Sequence, residues 1–444
     1  MRLASLLPTS LGMLVTACRD VPTNADRPES QRPVTSVAAP GRPTNVVVQW
    51  NRALLQIVRT PGAQPPTVHS TRSFAMLHAA IYDAVNAIDG TYEPYLGPAA
   101  PAPRFASPEA AAASAAHDIL VALYPGMTPQ LDQQLDQSLG SLRDHKAIAA
   151  GIEVGRLVAS RLVAARSNDG SAGAPIPFVF GREPGDYQST PPNFPAQPVF
   201  THWSHVTPFA LTRADQFRPA APPPLTSAEY ARSLNEVEAF GVVGSTVASA
   251  DEAVTGRFWN GPIQNYWNEI AQSVALDRHL TIAESARLFA LLDITIADGV
   301  IAFYDAKYAY ARWRPVTAIR AADSDGNAAT AADAGWLPEV GNTPADPTYP
   351  GAHSVISAAA AAVLTSFLGR DRFDLVVTSE VLPGVTRSFA SLSAAAEEAG
   401  LSRIFAGVHV RDDHTAGARL GRDVAEFVAA HFLRAPVRGL ASGG

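Results

Sequence analysis

Apolar residues recur at helical spacing along most of the chain from Val46 onward. In the segment 71–88, Phe74, Leu77 and Ile81 fall on one stripe of an α-helix, which is the pattern of a helix with one buried face. No stretch shows a convincing alternation of apolar and polar residues, the pattern typical of half-buried strands. The sequence therefore predicts an all-α fold.

Caps and breakers divide this pattern into separate helices. Thr281 and Glu284 form a capping-box pair that opens the longest helical pattern, which runs towards Trp313 and is stopped by Pro315. Further helices are predicted at 108–124, 128–166, 227–240, 249–259, 351–368 and 391–402. The segment 171–224 has many prolines and aromatic residues but little periodicity, so we expect a long ordered loop lying over the helices.

The N-terminal residues have the features of an export signal. A mostly apolar run ends in Val15-Thr16-Ala17-Cys18, which resembles the lipobox of bacterial lipoproteins, so we expect residues 1–18 to be a lipoprotein-type signal peptide and Cys18 to carry the lipid. An ordinary signal peptide is the alternative. Residues 19–45 are rich in Pro, Thr, Ser and Ala and are predicted to form a flexible tether. Because later apolar runs are short or interrupted by charge, we expect an exported protein, periplasmic or on the cell surface, held at the membrane only by this lipid.

Composition limits the remaining possibilities. With 444 residues and 47% hydrophobic content the chain can bury a large core, which we divide into an N-terminal helical half, 46–240, and a C-terminal helical bundle, 241–444. The net charge of −7 argues against non-specific binding to nucleic acid, so a local cluster of Lys and Arg is informative. Cys18 is the only cysteine, which excludes an intrachain disulfide.

Three short blocks in the C-terminal half, 307–315, 349–353 and 402–413, contain side chains that suit an oxyanion. They supply three cations, two histidines and one carboxylate: Lys307, Arg314, Arg403, His353, His409 and Asp413. Because seven residues make about two helical turns, we expect Lys307 and Arg314 on one face of one helix. Few other tasks require this set of groups together, so the sequence predicts an oxyanion pocket.

The blocks read Lys-x6-Arg-Pro, Pro-Gly-Ala-His and Ser-Arg-x5-His-x3-Asp. In this order they resemble the signature shared by the vanadium-dependent haloperoxidases and the superfamily of type 2 phosphatidic acid phosphatases and bacterial acid phosphatases. The longer phrases 313–320, 349–354 and 78–88 look like bacterial members of the haloperoxidase group. The resemblance covers most of residues 46–433 and implies a helical bundle with the oxyanion site in its C-terminal part.

The resemblance also implies a role for each residue of the blocks. Lys307, Arg314 and Arg403, together with Gly351 and Ala352 at a helix start, are the expected vanadate-binding or phosphate-binding residues. His409 is expected to bind vanadium or, in a phosphatase, to attack phosphorus. Asp413 would fix the His409 tautomer, and His353 would act as general acid and base.

Two positions depart from the family pattern. The middle block of the family usually reads Pro-Ser-Gly-His, whereas this chain has Gly351 and Ala352 in place of the serine and glycine, so one hydroxyl donor is absent. Asp346 lies seven residues before His353, where an aromatic residue or a histidine is expected near the halide. A carboxylate there would repel an anion unless it is protonated, paired or turned away.

Three functions are compatible with these residues. The first is a vanadium-dependent haloperoxidase, whose bound vanadate uses hydrogen peroxide to oxidise halide. The second is an acid phosphatase that forms a phosphohistidine in the same pocket, because vanadate mimics the transition state of phosphoryl transfer. The third is a catalytically silent oxyanion-binding lipoprotein. The extent of the resemblance along the chain favours the haloperoxidase.

Overall fold

The helix α9 (Ile282–Tyr310) runs through the middle of the protein and is buried along nearly its whole length. A helix that is apolar on every side is typical of the centre of a large core. Its predicted capping box forms, since the Thr281 hydroxyl accepts from the Glu284 backbone N–H and the Glu284 carboxylate accepts from that of Thr281. Helix α9 contacts helices from both the N-terminal and the C-terminal parts of the chain, so both share one core.

The computed structural model describes residues 34–35, 45–97 and 102–435. The other helices are α1 (Val46–Arg59), α2 (Ser70–Asp89), α3 (Pro108–Leu123), α4 (Thr128–Gly140), α5 (His145–Arg166), α6 (Ala228–Phe240), α7 (Ala250–Phe258), α8 (Ile263–Asp277), α10 (Pro315–Arg320), α11 (Ala352–Leu368), α12 (Leu392–Phe405) and α13 (Arg411–His431). The all-α class is confirmed. The predicted signal peptide, Cys18 and most of the predicted tether lie outside the described residues.

Three details of the predicted elements were wrong. The helix predicted at 128–166 is two helices, because Asp144 caps α5 through hydrogen bonds from the backbone N–H groups of Lys146 and Ala147. Helix α8, which begins directly after Pro262, was not among the predicted helices. A small sheet is also present: β2 (Arg372–Thr378) pairs with β3 (Thr386–Ser391) and with β1 (Val34–Thr35).

The strands of this sheet were not predicted because they are short and bury few residues. In β2 the buried residues Phe373, Leu375 and Val377 alternate with more exposed ones, but the strand has only 7 residues. In β3 no residue is fully buried. Strand β1 belongs to the stretch predicted as tether and pairs parallel to the edge of β2.

The long loop 171–224 is ordered by a buried carboxylate of the central helix. Asp298 on α9 is fully buried and accepts backbone N–H groups of Phe209 at 2.6 Å and of Ala210 and Leu211 at 2.7 Å. These bonds satisfy loop amides that are withdrawn from water. Apart from a 3₁₀ turn at Trp203–His205, the loop contains no helix, as predicted.

Helices α11 and α13 pack closely enough to bring two of the sequence blocks together. A Cβ atom at Gly417 would lie 2.6 Å from the Gly351 carbonyl oxygen, and one at Gly421 would lie 2.2 Å from that of Val355. Glycine is therefore required at both positions on α13. This contact sets the start of α11 beside the start of α13. Within the described ranges, no helix is both long and apolar enough to cross a bilayer.

Candidate active site

Lys307 and Arg314 do not share a helix face as the sequence suggested. Helix α9 ends at Tyr310, and Ala311 takes a left-handed conformation with φ 42°. Arg314 is extended, as expected for a residue before proline, and Pro315 begins α10. The two side chains nevertheless converge, because the chain turns between them and both reach the loop that precedes α11.

Asp346 in that loop pairs with both cations. Its Oδ2 lies 3.4 Å from Lys307 Nζ, and its Oδ1 accepts from Arg314 Nη2. Burial alone would raise the pKa of Asp346, but the charges of Lys307 and Arg314 outweigh it and hold the pKa below its ordinary value. Burial lowers the pKa of Lys307 to about 8 despite the attraction of Asp346. The carboxylate that departs from the family pattern is therefore ionised and paired.

His409 is delivered to the site by a tight turn after α12. Gly407 has φ 80°, and a Cβ atom there would lie 2.2 Å from the Gly241 carbonyl oxygen, so only glycine fits. The turn is closed by backbone bonds from Val408 and His409 to the Arg403 carbonyl oxygen, at 3.0 and 3.2 Å. It carries Arg403 and His409 into the same buried region.

The ring of His409 is held in one tautomer. Its Nδ1 lies 2.9 Å from Asp413 Oδ2, and its Nε2 lies 3.2 Å from Arg314 Nη1. A guanidinium N–H can only donate, so Nε2 accepts and Nδ1 carries the proton. Burial first, and then the charge of Arg314, lowers the pKa of His409 well below its ordinary value. His409 therefore presents a neutral ring whose Nε2 lone pair faces the cations.

Asp413 is itself oriented by two further donors. The Thr348 hydroxyl donates to Asp413 Oδ2 at 2.5 Å, and the Val410 backbone N–H donates to the same oxygen at 3.1 Å. Burial raises the pKa of Asp413, and these hydrogen bonds oppose that rise. Such support for the partner of a ligating histidine is typical of metal and oxyanion sites.

Arg403 is the cation with an unsatisfied donor. Its Nη1 donates to Asn260 Oδ1 at 2.9 Å, while its Nε is buried without a hydrogen-bond partner in the described chain. Burial, reinforced by the charge of Arg314, lowers the pKa of Arg403 to about 9. A buried N–H of a cation without a partner is costly, and a bound anion would satisfy it.

His353 lies in the first turn of α11 and is fixed through its backbone partner. Its Nε2 lies 2.8 Å from the Trp259 carbonyl oxygen, so Nε2 carries the proton and Nδ1 is left as the acceptor. Burial, and then the charge of Arg403, lowers the pKa of His353 well below its ordinary value. Gly351 and Ala352 lie at the start of the same helix. No side chain caps this helix, so no capping side chain occupies the N–H groups of its first turn.

The structure brings the predicted site residues of the three blocks into one region. Sequence analysis missed Thr348, which orients Asp413, and Asn260, which accepts from Arg403. Thr348 directly precedes Tyr349, so reading the middle block one residue earlier would have found it. Nothing near Asn260 in the sequence indicates its partner, which lies 143 residues away.

The donor set fits an oxyanion bound at the histidine. The neutral Nε2 of His409 contacts Arg314, the charges of the buried Lys307 and Arg403 also act on this ring, and the unpartnered Arg403 Nε offers a hydrogen bond. Binding at His409 Nε2 would require the Arg314 N–H that now points at this nitrogen to turn to an oxygen of the anion. The residues present therefore suit vanadate or phosphate.

Known proteins that are similar to this chain in sequence include a vanadium enzyme. Residues 287–437 match the family described as the VCPO second helical-bundle domain. Vanadium chloroperoxidase of Curvularia inaequalis is 25% identical over 491 aligned residues, which span 84% of this chain and 80% of that protein.

Solved structures agree with this likeness. A bacterial vanadium-dependent iodoperoxidase has a TM-score of 0.74 at 25% identity and covers 88% of this chain and 96% of its own. A holo-type bacterial vanadium-dependent chloroperoxidase, with a TM-score of 0.62 and 15% identity, covers 92% and 96% and shares the fold. The chain is thus similar in sequence to vanadium-dependent haloperoxidases and has their helical fold.

Proposed function

We propose that this chain is a vanadium-dependent haloperoxidase that oxidises halide with hydrogen peroxide. The observation that carries the proposal is the His409 ring, which is neutral, held by Asp413 and directed at Arg314, with the charges of Lys307 and Arg403 close enough to lower its pKa. Its relatives are named for chloride and iodide peroxidation, so their likeness supports the reaction class and leaves the halide open.

The residues of the site would divide the work in this reaction. His409 Nε2 would hold vanadate, and Arg403, Arg314 and Lys307 would neutralise its oxygens. Vanadate bound in this way supplies a Lewis-acidic centre that activates hydrogen peroxide towards a halide. His353 Nδ1, an acceptor at neutral pH, would take a proton from the incoming peroxide and return one to the departing oxygen.

Acid phosphatase activity is the competing function of such a pocket. The same neutral Nε2 of His409 would serve as a nucleophile towards phosphorus. The likeness of this chain to haloperoxidases along most of its length favours halide oxidation.

A parallel assay of the purified protein tests the proposed reaction. With vanadate and hydrogen peroxide present, we expect bromination or iodination of a dimedone-type acceptor, and we expect activity to be lost when vanadate is removed by chelation and dialysis. Phosphate ester hydrolysis without vanadate should be absent. Hydrolysis without any halide oxidation would overturn the proposal in favour of the phosphatase.

We also propose that the protein is exported and anchored by a lipid on Cys18. The lipobox-like Val15-Thr16-Ala17-Cys18 and the Pro-rich stretch after it support this localisation. Membrane fractionation of wild type and Cys18→Ala, each expressed in a bacterium with lipoprotein processing, tests it. We expect the wild type in the membrane fraction and the variant outside it. Equal recovery of the two in the membrane fraction would contradict the anchor.

A further inference from the structure

The oxyanion site, defined by Lys307, Arg314, Arg403 and His409, contains a carboxylate that anion binding does not require. Asp346 is 5% exposed and lies between two of the three cations. The Asp346 carboxylate therefore neutralises part of the positive charge of Lys307 and Arg314 that would otherwise act on a bound oxyanion.

The hydrogen bonds of the two paired cations show what this carboxylate does. Lys307 Nζ donates hydrogen bonds to the carbonyl oxygens of Pro347 and Thr348 and forms an ion pair with the Asp346 carboxylate at 3.4 Å, so at most one of its three N–H groups is left for a ligand. Lys307 therefore contributes to anion binding mainly through its charge.

Arg314 is almost as fully used. Its Nε donates to the Asp346 carbonyl oxygen at 2.7 Å, Nη1 donates to the Val408 carbonyl oxygen at 2.8 Å and to His409 Nε2, and Nη2 donates to the Asp346 carboxylate. A guanidinium has five N–H groups, so one remains. Arg403, with its buried unpartnered Nε, is the least committed of the three cations.

The charges of the site can be counted in the same way. Three cations carry three positive charges, and Asp346 and Asp413 as carboxylates carry two negative ones. His409, whose Nε2 accepts from Arg314, and the buried His353 are neutral. The site is left with one net positive charge. In a buried region of low effective dielectric, a unit charge a few ångströms away changes anion affinity by a factor of about ten or more for each unit of anion charge.

We propose that Asp346 makes this site selective for singly charged oxyanions over doubly charged ones. The inference rests on the proposed function only in taking the site to bind oxyanions. It identifies the accepted ligand class as the protonated, monoanionic form of vanadate or phosphate. A site with the same three cations and no such carboxylate would favour more highly charged forms.

Two tetrahedral anions of similar size separate charge from shape. Perrhenate carries one negative charge and molybdate carries two, and neither takes part in the proposed reaction. The measured quantity is the ratio of perrhenate affinity to molybdate affinity, obtained by calorimetry on the purified protein. Asp346→Asn keeps the size of the side chain and an oxygen for Arg314, so we expect the ratio to fall by about tenfold or more in favour of molybdate.

Two further variants complete the design. Asp136→Asn removes one negative charge at an exposed position of α4 and should leave the ratio unchanged. Lys307→Met combined with Asp346→Asn removes one charge of each sign, so the ratio should return towards that of the wild type. This pair also covers the case in which Asp346→Asn alone fails to fold because it leaves a buried cation unpaired.

The outcomes distinguish this inference from the proposed function. Binding of both anions with a ratio that is the same in wild type and folded Asp346→Asn would overturn the role of Asp346 and leave the proposed function standing. A double variant whose ratio of perrhenate to molybdate affinity stays as far below the wild-type ratio as that of Asp346→Asn would also overturn the role of Asp346. Failure of the wild type to bind perrhenate, molybdate and vanadate would overturn both. If the wild type shows no halide oxidation but Asp346→Asn shifts the ratio of perrhenate to molybdate affinity as predicted, only the proposed reaction is overturned.

Discussion

Replacing His409 with alanine is expected to abolish vanadate-dependent halide oxidation and to weaken vanadate binding severely. The change removes the neutral Nε2 that faces Arg314, and with it the bond that would hold vanadium. No other histidine in the described chain is held in this way between Asp413 and Arg314. Calorimetry with vanadate and the halide assay together measure both losses.

Two companion variants make this result interpretable. Asp413→Asn should give a partial defect, because the ring remains but loses the carboxylate that sets its tautomer. His414→Ala removes a neighbouring buried histidine of α13, which bonds Ser354 and Glu397, and should retain vanadate binding. A folded His409→Ala protein that keeps both vanadate binding and activity would mean that the site lies elsewhere.

Replacing Arg403 with alanine is expected to weaken oxyanion binding by about 2–3 kcal/mol, roughly 30- to 150-fold. Among the three cations, Arg403 has the buried N–H without a partner, so its removal eliminates a directed donor as well as a charge. Phosphate or vanadate titration by calorimetry measures the loss.

Arg403→Lys and Arg156→Ala are the controls. The lysine keeps a charge but lacks the planar donor group, so it should recover only part of the affinity. Arg156 is exposed on α5, and its replacement should change nothing. An Arg403→Ala protein with wild-type affinity would show that this side chain does not touch the anion.

The residues of the site were predictable where their signal is local. His409 and Asp413 are four residues apart, and the resemblance implied the contact that the structure contains, although His409 lies just before the start of α13. The close packing of α11 on α13 also follows from nearby glycines once both helices are known. The vanadate-binding and catalytic roles of these residues stay predictions.

Other features depend on contacts between distant parts of the chain. Lys307 and Arg314 were expected on one helix face, but the left-handed Ala311 and the extended residue before Pro315 end the helix between them. The pairing of Asp346 with Arg314, 32 residues away, and of Asn260 with Arg403 arises only when the loops fold over the bundle. Periodicity carries no information about such contacts.

A crystal structure of the protein with bound vanadate measures the role of His409 most directly. We expect vanadium bonded to His409 Nε2, with Arg403 Nε donating to one of the vanadate oxygens and Arg314 turned from the ring towards the anion. Vanadate bound at any other position, with the Arg314 to His409 contact intact in a halide-oxidising protein, would contradict this assignment.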